Sequence, residues 1–283
     1  MNLKTCAQAL AAARTLGLER LDAQLLLLHA LGKPASARSW LLAHDSDELT
    51  PEVAEAFRAL SLRRVTGEPL AYIVGSKEFF GLALQVDARV LVPRPDTETL
   101  VEWSLDLLQA PGQPSVLRIL DLGTGSGAIA LAMAHCLQAA GRQAQVTAVD
   151  ASAQALDVAR GNAARLGLKV EFIESCWLDQ ISSKFDLIAS NPPYIASADP
   201  HLAALAHEPV QALTAGADGL DDIRKIIEKA PGHLLPGGWL LLEHGYDQAD
   251  RVRQLLAQRG FLRLQSRLDL AGIERCSGGQ WPR

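Results

Sequence analysis

The chain has 283 residues, enough for one large domain or two modest ones, and its 48% hydrophobic and 21% charged content is that of a soluble globular protein. A formal net charge of −5 argues against duplex DNA as an electrostatically driven partner, because phosphate contacts need clustered Lys and Arg. The widely spaced Cys6, Cys136, Cys176 and Cys276 form no CxxC pair, so no zinc or redox motif is supported, no metal is expected, and the thiols are expected reduced.

The N-terminal stretch MNLKTCAQALAAARTLG is too broken by charge and polarity for a signal peptide, and LLLLHALG is too short to span a bilayer. A cytoplasmic protein without a membrane partner is expected. Residues 1 to about 75 have helical periodicity, with Leu21, Leu25 and Leu28 at three- and four-residue spacing. Thr50-Pro51-Glu52 has the form of an N-cap, a first-turn proline and an acid, and opens a helix running through Arg63. The pattern then turns to β. Phe79–Val86 and Val90–Val92 flank Asp87-Ala88-Arg89 and predict a hairpin. A helix is expected from Glu98 to Leu108, and Pro111-Gly112-Gln113-Pro114 breaks the chain.

Strands and helices alternate from there. Strands are expected at Val116–Leu122, Gln145–Val149, Val170–Ile173, Phe185–Ser190 and Gly238–His244, with two further ones near Phe261–Gln265 and Ile273–Cys276. Helices fit at Ala128–Ala140, Ala153–Leu166 and Asp221–Ala230. Such alternation predicts an α/β fold whose mostly parallel sheet is covered on both faces.

Asp121-Leu122-Gly123-Thr124-Gly125-Ser126-Gly127-Ala128 follows the first of these strands and opens a helix. Glycines let the backbone approach a ligand at the strand end, and helix N–H groups favour an anionic group. Asp150 ends the next strand, in range for ribose hydroxyls. A nicotinamide enzyme and a nucleoside-cofactor methyltransferase both satisfy these two facts. Asp121 separates them: an anion suits a ligand carrying an ammonium and a sulfonium better than a pyrophosphate.

Asn191-Pro192-Pro193-Tyr194 ends the fourth strand. Two prolines fix two φ angles, and Pro192 pushes Asn191 toward extended geometry. In one reading this is only a rigid strand exit. In the other, the Asn191 oxygen and Pro192 carbonyl accept both N–H groups of a planar amide or exocyclic amine, Tyr194 stacks on it, and orientation supplies the catalysis.

DLGTGSGAIALA, VDASAQAL, SNPPYI, LLLEHG, and above all GEPLAYIVGSKEFFGL with VLVPRPDTETLVE, resemble the release-factor glutamine methyltransferase family over nearly the whole chain. The resemblance implies a Rossmann-like class I methyltransferase domain with a seven-stranded sheet over 95–283. It also implies an N-terminal helical substrate-recognition domain over 1–76 and a β-hairpin linker over 77–94. The implied reaction moves a methyl group from S-adenosylmethionine to the amide nitrogen of the glutamine in the Gly-Gly-Gln motif of bacterial peptide chain release factors. Implied cofactor contacts are Asp121, Gly123, Thr124, Gly125, Ser126, Gly127, Asp150, Trp177 and Asn191. Asn191, Pro192, Pro193 and Tyr194 are the implied catalytic and substrate-binding residues. A monomer is expected.

Alternatives on the same motifs are methylation of a ribosomal protein glutamine or of DNA adenine. An oxidoreductase and a non-catalytic binding module are further rivals. Members of the family often have Asp where this chain has Cys176, which leaves Trp177, backbone groups or Asp179 to meet the adenine. The stretch from Glu208-Pro209 to Gly219-Leu220 is expected to close the site. Arg94 and Glu98 either order its entrance or cap locally. Trp177 taken alone suits a core, Glu243-His244 a structural role, and His29, His135 and His233 no ligand. Gly278-Gly279-Gln280 repeats the family's target tripeptide; a glycine turn is expected there, with self-modification as a remote second reading.

Overall fold

The computed structural model describes residues 3–283. The chain divides between Ser76 and Lys77 into two compact units.

The first unit is helical: α1 (Cys6–Thr15), α2 (Arg20–Ala30), α3 (Arg38–Ala43), α4 (Pro51–Val65) and α5 (Leu70–Val74). Thr50 caps α4 by accepting from the Val53 amide, as its side chain predicts. The core gathers Ala9, Leu26, Leu27, Leu41, Phe57 and Ile73. The buried residues of α2 are Ala23, Leu26, Leu27 and Leu28; of the predicted stripe Leu28 is buried, Leu25 half-buried and Leu21 exposed. In a run of four leucines the spacing alone does not fix which stripe faces inward.

The second unit opens with a hairpin of β1 (Ser76–Phe79) and β2 (Leu82–Gln85). Its turn is Phe80-Gly81, both at positive φ, and not Asp87-Ala88-Arg89. Residues 79–86, expected as one strand, are folded back on themselves, as consecutive positive φ values in a two-residue turn require. Asp87 instead forms a local turn with Arg89 by accepting from its amide and guanidinium. Val90–Val92 pairs with no strand. Phe79, Leu82 and Leu84 pack into the core of the second unit, so the hairpin is part of that unit.

Then come α6 (Glu98–Leu108), β3 (Val116–Leu122), α7 (Ala128–Ala139), β4 (Gln143–Asp150), α8 (Ala153–Leu166), β5 (Glu171–Glu174), β6 (Phe185–Ser190), α9 (Asp221–Lys229), β7 (Leu234–Glu243), α10 (Ala249–Arg259), β8 (Leu262–Leu268) and β9 (Glu274–Gln280). The seven-stranded sheet has the order β5-β4-β3-β6-β7-β9-β8. Neighbours from β5 to β7 are parallel, and β9 runs antiparallel to both β7 and β8.

Alternation along the strands divides two cores. Leu117, Ile119, Leu187, Ala189, Trp239 and Leu241 face the α6 and α7 side. Leu120, Leu122, Ile188, Leu240 and Leu242 face Ile223, Ile226 and Ile227 of α9 and Val252 and Leu256 of α10. The period of two carries on past the apolar residues: Glu243 follows Trp239 and Leu241 on the α6 side, at the C-terminal end of β7. Helix α10 is not evident in the sequence, because only Ala249, Val252 and Leu256 of its eleven residues are buried.

Gly278-Gly279-Gln280 lies inside β9, paired on both sides, and not in a turn. A Cβ on Gly278 would meet Leu241 Cδ2 at 2.5 Å and the Leu240 carbonyl at 2.6 Å. Gln280 pairs with Trp239 in the middle of β7 and donates to the Gly237 carbonyl. Glycine here serves sheet packing. Gly278→Ala is expected to cost about 1–3 kcal/mol through overpacking, measured as a lower urea midpoint; an unchanged midpoint would contradict it.

Candidate active site

Strand order reverses between β3 and β6, and an open α/β sheet binds ligands at the C-terminal strand ends beside such a point. A cavity of about 400 Å³ lies there, lined by Gly123 and Gly125 after β3, Asp150 at the end of β4, Trp177 after β5, and Asn191 and Pro193 after β6. Val90 and Leu91 add to it from the hairpin exit, and Pro209, Gln211 and Ala212 from the loop after Glu208.

The glycine loop is pinned from below. Amides of Gly123 and Thr124 donate to the Val149 carbonyl at 2.8 and 2.9 Å. Asp150 accepts from the Gly125 amide at 2.9 Å through one carboxylate oxygen, and from the Ser152 amide at 2.9 Å through the other. Asn162 of α8, fully buried, donates to the Ser126 and Gln85 carbonyls and accepts from the Gln85 amide, tying loop to hairpin. A Cβ on Gly123 would come within 3.3 Å of the Trp177 ring. Trp177 has φ 51°, an uncommon conformation for a bulky residue, and its indole N–H donates to Asp222 at 3.2 Å.

Asp121 is fully buried and lies outside the cavity lining, as do Thr124, Ser126 and Gly127. One carboxylate oxygen of Asp121 accepts from the Thr124 hydroxyl at 2.6 Å and from the Ala130 amide in the first turn of α7 at 3.1 Å; the other has no partner. Burial is the largest influence on its pKa and pushes it up to about 7, against these two donors. Burial also raises the pKa of Asp150, opposed by the amides it binds.

The corner after β6 is fixed on several sides. Asn191 donates through its amide nitrogen to the Thr97 hydroxyl at 3.1 Å. The Tyr194 hydroxyl donates to Glu243 at 3.4 Å, and the Tyr194 carbonyl accepts from Gln248 at 3.0 Å. Gly219 backs the corner: at φ 73° a Cβ there would sit 2.2 Å from the Tyr194 carbonyl oxygen. Ile195 then pairs with the 213–215 backbone. Pro192 and Tyr194 do not line the cavity, whereas Asn191 and Pro193 do.

Glu208 is 5% exposed and accepts from the Val92 amide at 3.1 Å and from Arg94. This joins the hairpin exit to the loop carrying Pro209, Gln211 and Ala212. Glu98 accepts from the Phe80 amide and caps the hairpin turn. Asp179 is paired with Lys229 and does not line the cavity. The carboxylate that does so beside Cys176 and Trp177 is Asp222, at the start of α9, which the sequence shows only as a first-turn acid. His244 is buried between Ser277 and the Gly245 carbonyl, linking β7 to β9. His29 and His135 are exposed. Among the described residues no group of three His, Cys, Asp or Glu could hold a metal ion, and no helix is long and apolar enough to cross a membrane.

Comparison with known proteins gives this geometry a family. A PrmC N-terminal domain matches residues 2–75, and a methyltransferase small domain matches residues 104–216. A release factor glutamine methyltransferase of Bordetella pertussis is 51% identical over 267 residues, covering 93% of this chain and 95% of that protein. The chain belongs to the release factor glutamine methyltransferase family. A second member, from Xylella fastidiosa, is 47% identical and covers 97% of this chain and 98% of that protein. The fold alone is shared with a T. thermophilus 16S rRNA N2 G1207 methyltransferase, solved in complex with AdoMet and guanosine. That structure has TM-score 0.54 and 20% identity and covers 73% of this chain and 49% of that one. The seven-stranded sheet expected of a methyltransferase of this family is the sheet observed.

Between the ordinary carboxyl value of 3.8 and about 7, the folded enzyme keeps a proton on Asp121 that the unfolded chain has released. Stability from this group is therefore full below about pH 4 and lost as pH rises through 7. Asp121→Asn removes that loss. The variant should gain up to about 4 kcal/mol on the wild type between pH 4 and pH 8 in denaturant unfolding. A difference that does not change with pH would contradict the assignment.

Proposed function

We propose that this enzyme transfers a methyl group from S-adenosylmethionine to the side-chain amide nitrogen of the glutamine in the Gly-Gly-Gln motif of peptide chain release factors. The observation that carries the reading is the Asn191 corner at the mouth of the cavity. Its amide nitrogen is occupied by Thr97, which leaves the side-chain oxygen to accept.

The cavity fits the methyl donor. Gly123 and Gly125 present backbone without side chains, Asp150 stands at the edge where a ribose would lie, and Trp177 offers a flat apolar wall. When bound, the cofactor supplies an electrophilic methyl group next to a positively charged sulfur. Asp121 lies beneath the loop with one unpartnered oxygen, and once ionised, above about pH 7, it is a long-range counter-charge to that cation. Thr124, Ser126 and Gly127 hold the loop's shape, and Asn191 borders both cofactor and substrate.

An amide nitrogen is a poor nucleophile, because its lone pair is delocalised into the carbonyl. Catalysis therefore depends on alignment. Asn191 and the Pro192 carbonyl accept its two N–H groups, the two prolines keep both acceptors from moving, and Tyr194 packs against the amide plane. Methyl transfer leaves an extra proton on the nitrogen, and its loss to solvent restores the amide resonance. No side chain with base strength near neutrality is required.

The helical unit of residues 1–76 serves as the grip on the protein substrate, supported by its own closed core and its match to the PrmC N-terminal domain. The hairpin within residues 77–94 packs into the catalytic unit and belongs with residues 95–283. The enzyme works as a cytoplasmic monomer, and the net charge of −5 speaks against DNA as substrate.

Labelled cofactor offered side by side with release factor, its Gln→Ala variant, ribosomal proteins and DNA should mark the unaltered release factor alone. Asn191→Ala should lower turnover by about a hundredfold or more while S-adenosylhomocysteine binds within about threefold. Label on the Gln→Ala release factor, or near-normal turnover by Asn191→Ala, would overturn the reading.

A further inference from the structure

We propose that Asp222 determines specificity for the methyl donor: one oxygen of its carboxylate accepts the exocyclic amine of the purine packed on Trp177, and so selects an amino-substituted base over an oxo-substituted one. This deepens, and rests on, the reading of the cavity as the site of S-adenosylmethionine. Asp222 belongs to the first turn of α9 and lines the cavity, with its side chain 16% exposed. An acid is favourable at a helix N-terminus in any case. Asp221 beside it is also in that turn, yet it does not line the cavity.

Two donors fix the Asp222 carboxylate. The Trp177 indole N–H donates to Oδ1 at 3.2 Å, and the Lys225 ammonium donates to the same oxygen at 2.9 Å. Among the described residues no donor meets Oδ2. A carboxylate paired with an ammonium accepts at both oxygens and donates at neither. Oδ2 is therefore an acceptor held in place without a partner of its own. An indole N–H lies in the plane of its ring, so Asp222 stands at the rim of the flat wall. A second ring stacked on that wall presents its edge substituents there. Trp177 is held at φ 51°, a conformation that a bulky residue keeps only where its surroundings impose it, often at a ligand clamp.

The other polar groups of the lining nearby are engaged or weak. Both oxygens of Asp150 already accept from amides, those of Gly125 and Ser152. The Ser175 hydroxyl accepts from the Gln180 amide at 3.0 Å. Cys176 offers only a thiol, a poor acceptor. A base with N–H at its edge gains a charge-assisted hydrogen bond from Oδ2. A base with a carbonyl oxygen there sets lone pair against carboxylate and leaves both unpaired. Adenine is of the first kind and hypoxanthine of the second. The same geometry dictates what Asp222→Asn would do. Trp177 and Lys225 both donate, so the new amide must turn its oxygen to them, and its NH2 group takes the place of Oδ2. An acceptor becomes a donor with no change of shape.

The test is calorimetric titration of the full-length enzyme with S-adenosylhomocysteine and with S-inosylhomocysteine, which differs by an oxo group in place of the amine. Wild type should bind the inosine compound about thirtyfold or more weakly than the adenosine one. Asp222→Asn should narrow that preference by about tenfold or more, losing affinity for S-adenosylhomocysteine while keeping or gaining it for S-inosylhomocysteine. Should Asp222→Asn not fold, Asp222→Ala decides by the same ratio, which should also narrow about tenfold. If Asp222 merely braces Trp177, either variant weakens both compounds by one factor; an unchanged preference would overturn the proposal. Wild type that binds neither compound would overturn it together with the cofactor reading of the cavity. Wild type that binds S-adenosylhomocysteine yet never labels release factor would sink the glutamine reading alone, and the preference ratio would still decide the role of Asp222.

Discussion

Everything in the catalytic unit turns on a backbone that cannot move at the end of β6. Two consecutive prolines remove the torsional freedom that a loop normally has. The surrounding structure then removes what is left. Gly219 comes so close behind the Tyr194 carbonyl that any side chain there would displace it, Gln248 binds the same carbonyl, and Ile195 is drawn into pairing with residues 213–215. The rigidity is therefore shared between the motif and the loop that backs it. An enzyme whose substrate nitrogen has little nucleophilicity gains most from such fixity, because misplacement by about 1 Å can cost a hundredfold in rate.

The two-residue period of the strands builds core and site together. Along β7, Trp239 and Leu241 fill the core beneath α6, and the next residue on that side is Glu243. Along β3, Leu117 and Ile119 do the same and Asp121 follows. In both cases the strand continues this face to its last position, Asp121 or Glu243, but replaces an apolar side chain by a carboxyl. Burial raises both groups to about 7. Each represents stability given up at neutral pH, which is the common mark of groups retained for a task other than folding.

Much of this was legible in the sequence where a local signal and the tertiary structure coincide. The glycine loop between β3 and α7, Asp150 at a strand end and the corner after β6 follow from the alternation of apolar runs with glycine and proline, and the structure brings Gly123, Gly125, Asp150, Trp177 and Asn191 to one cavity. Asp121 was harder to place. Its charge suggests a direct ligand contact, yet its position on an inward face buries it under the loop. The turn at Phe80-Gly81 is hidden because apolar residues run almost unbroken from Phe79 to Val86 and the single glycine marks it only weakly. Asp222 shows locally only as a first-turn acid, and local patterning gives Asn162 and Thr97 no role at the site. Each reaches the site from a distant part of the chain, 45 residues from Trp177, 77 from Gln85 and 94 from Asn191. Glu208 is of the same kind, 116 residues from the Val92 amide it accepts.

The most direct measurement is a crystal structure of the enzyme with S-adenosylhomocysteine and a Gly-Gly-Gln peptide. The geometry described here predicts the glutamine amide nitrogen within hydrogen-bond distance of both the Asn191 side-chain oxygen and the Pro192 carbonyl, facing the cofactor sulfur. The same structure should show Asn191 still bound to Thr97. A peptide amide held elsewhere, or Asn191 turned to offer its nitrogen to the substrate, would contradict the account.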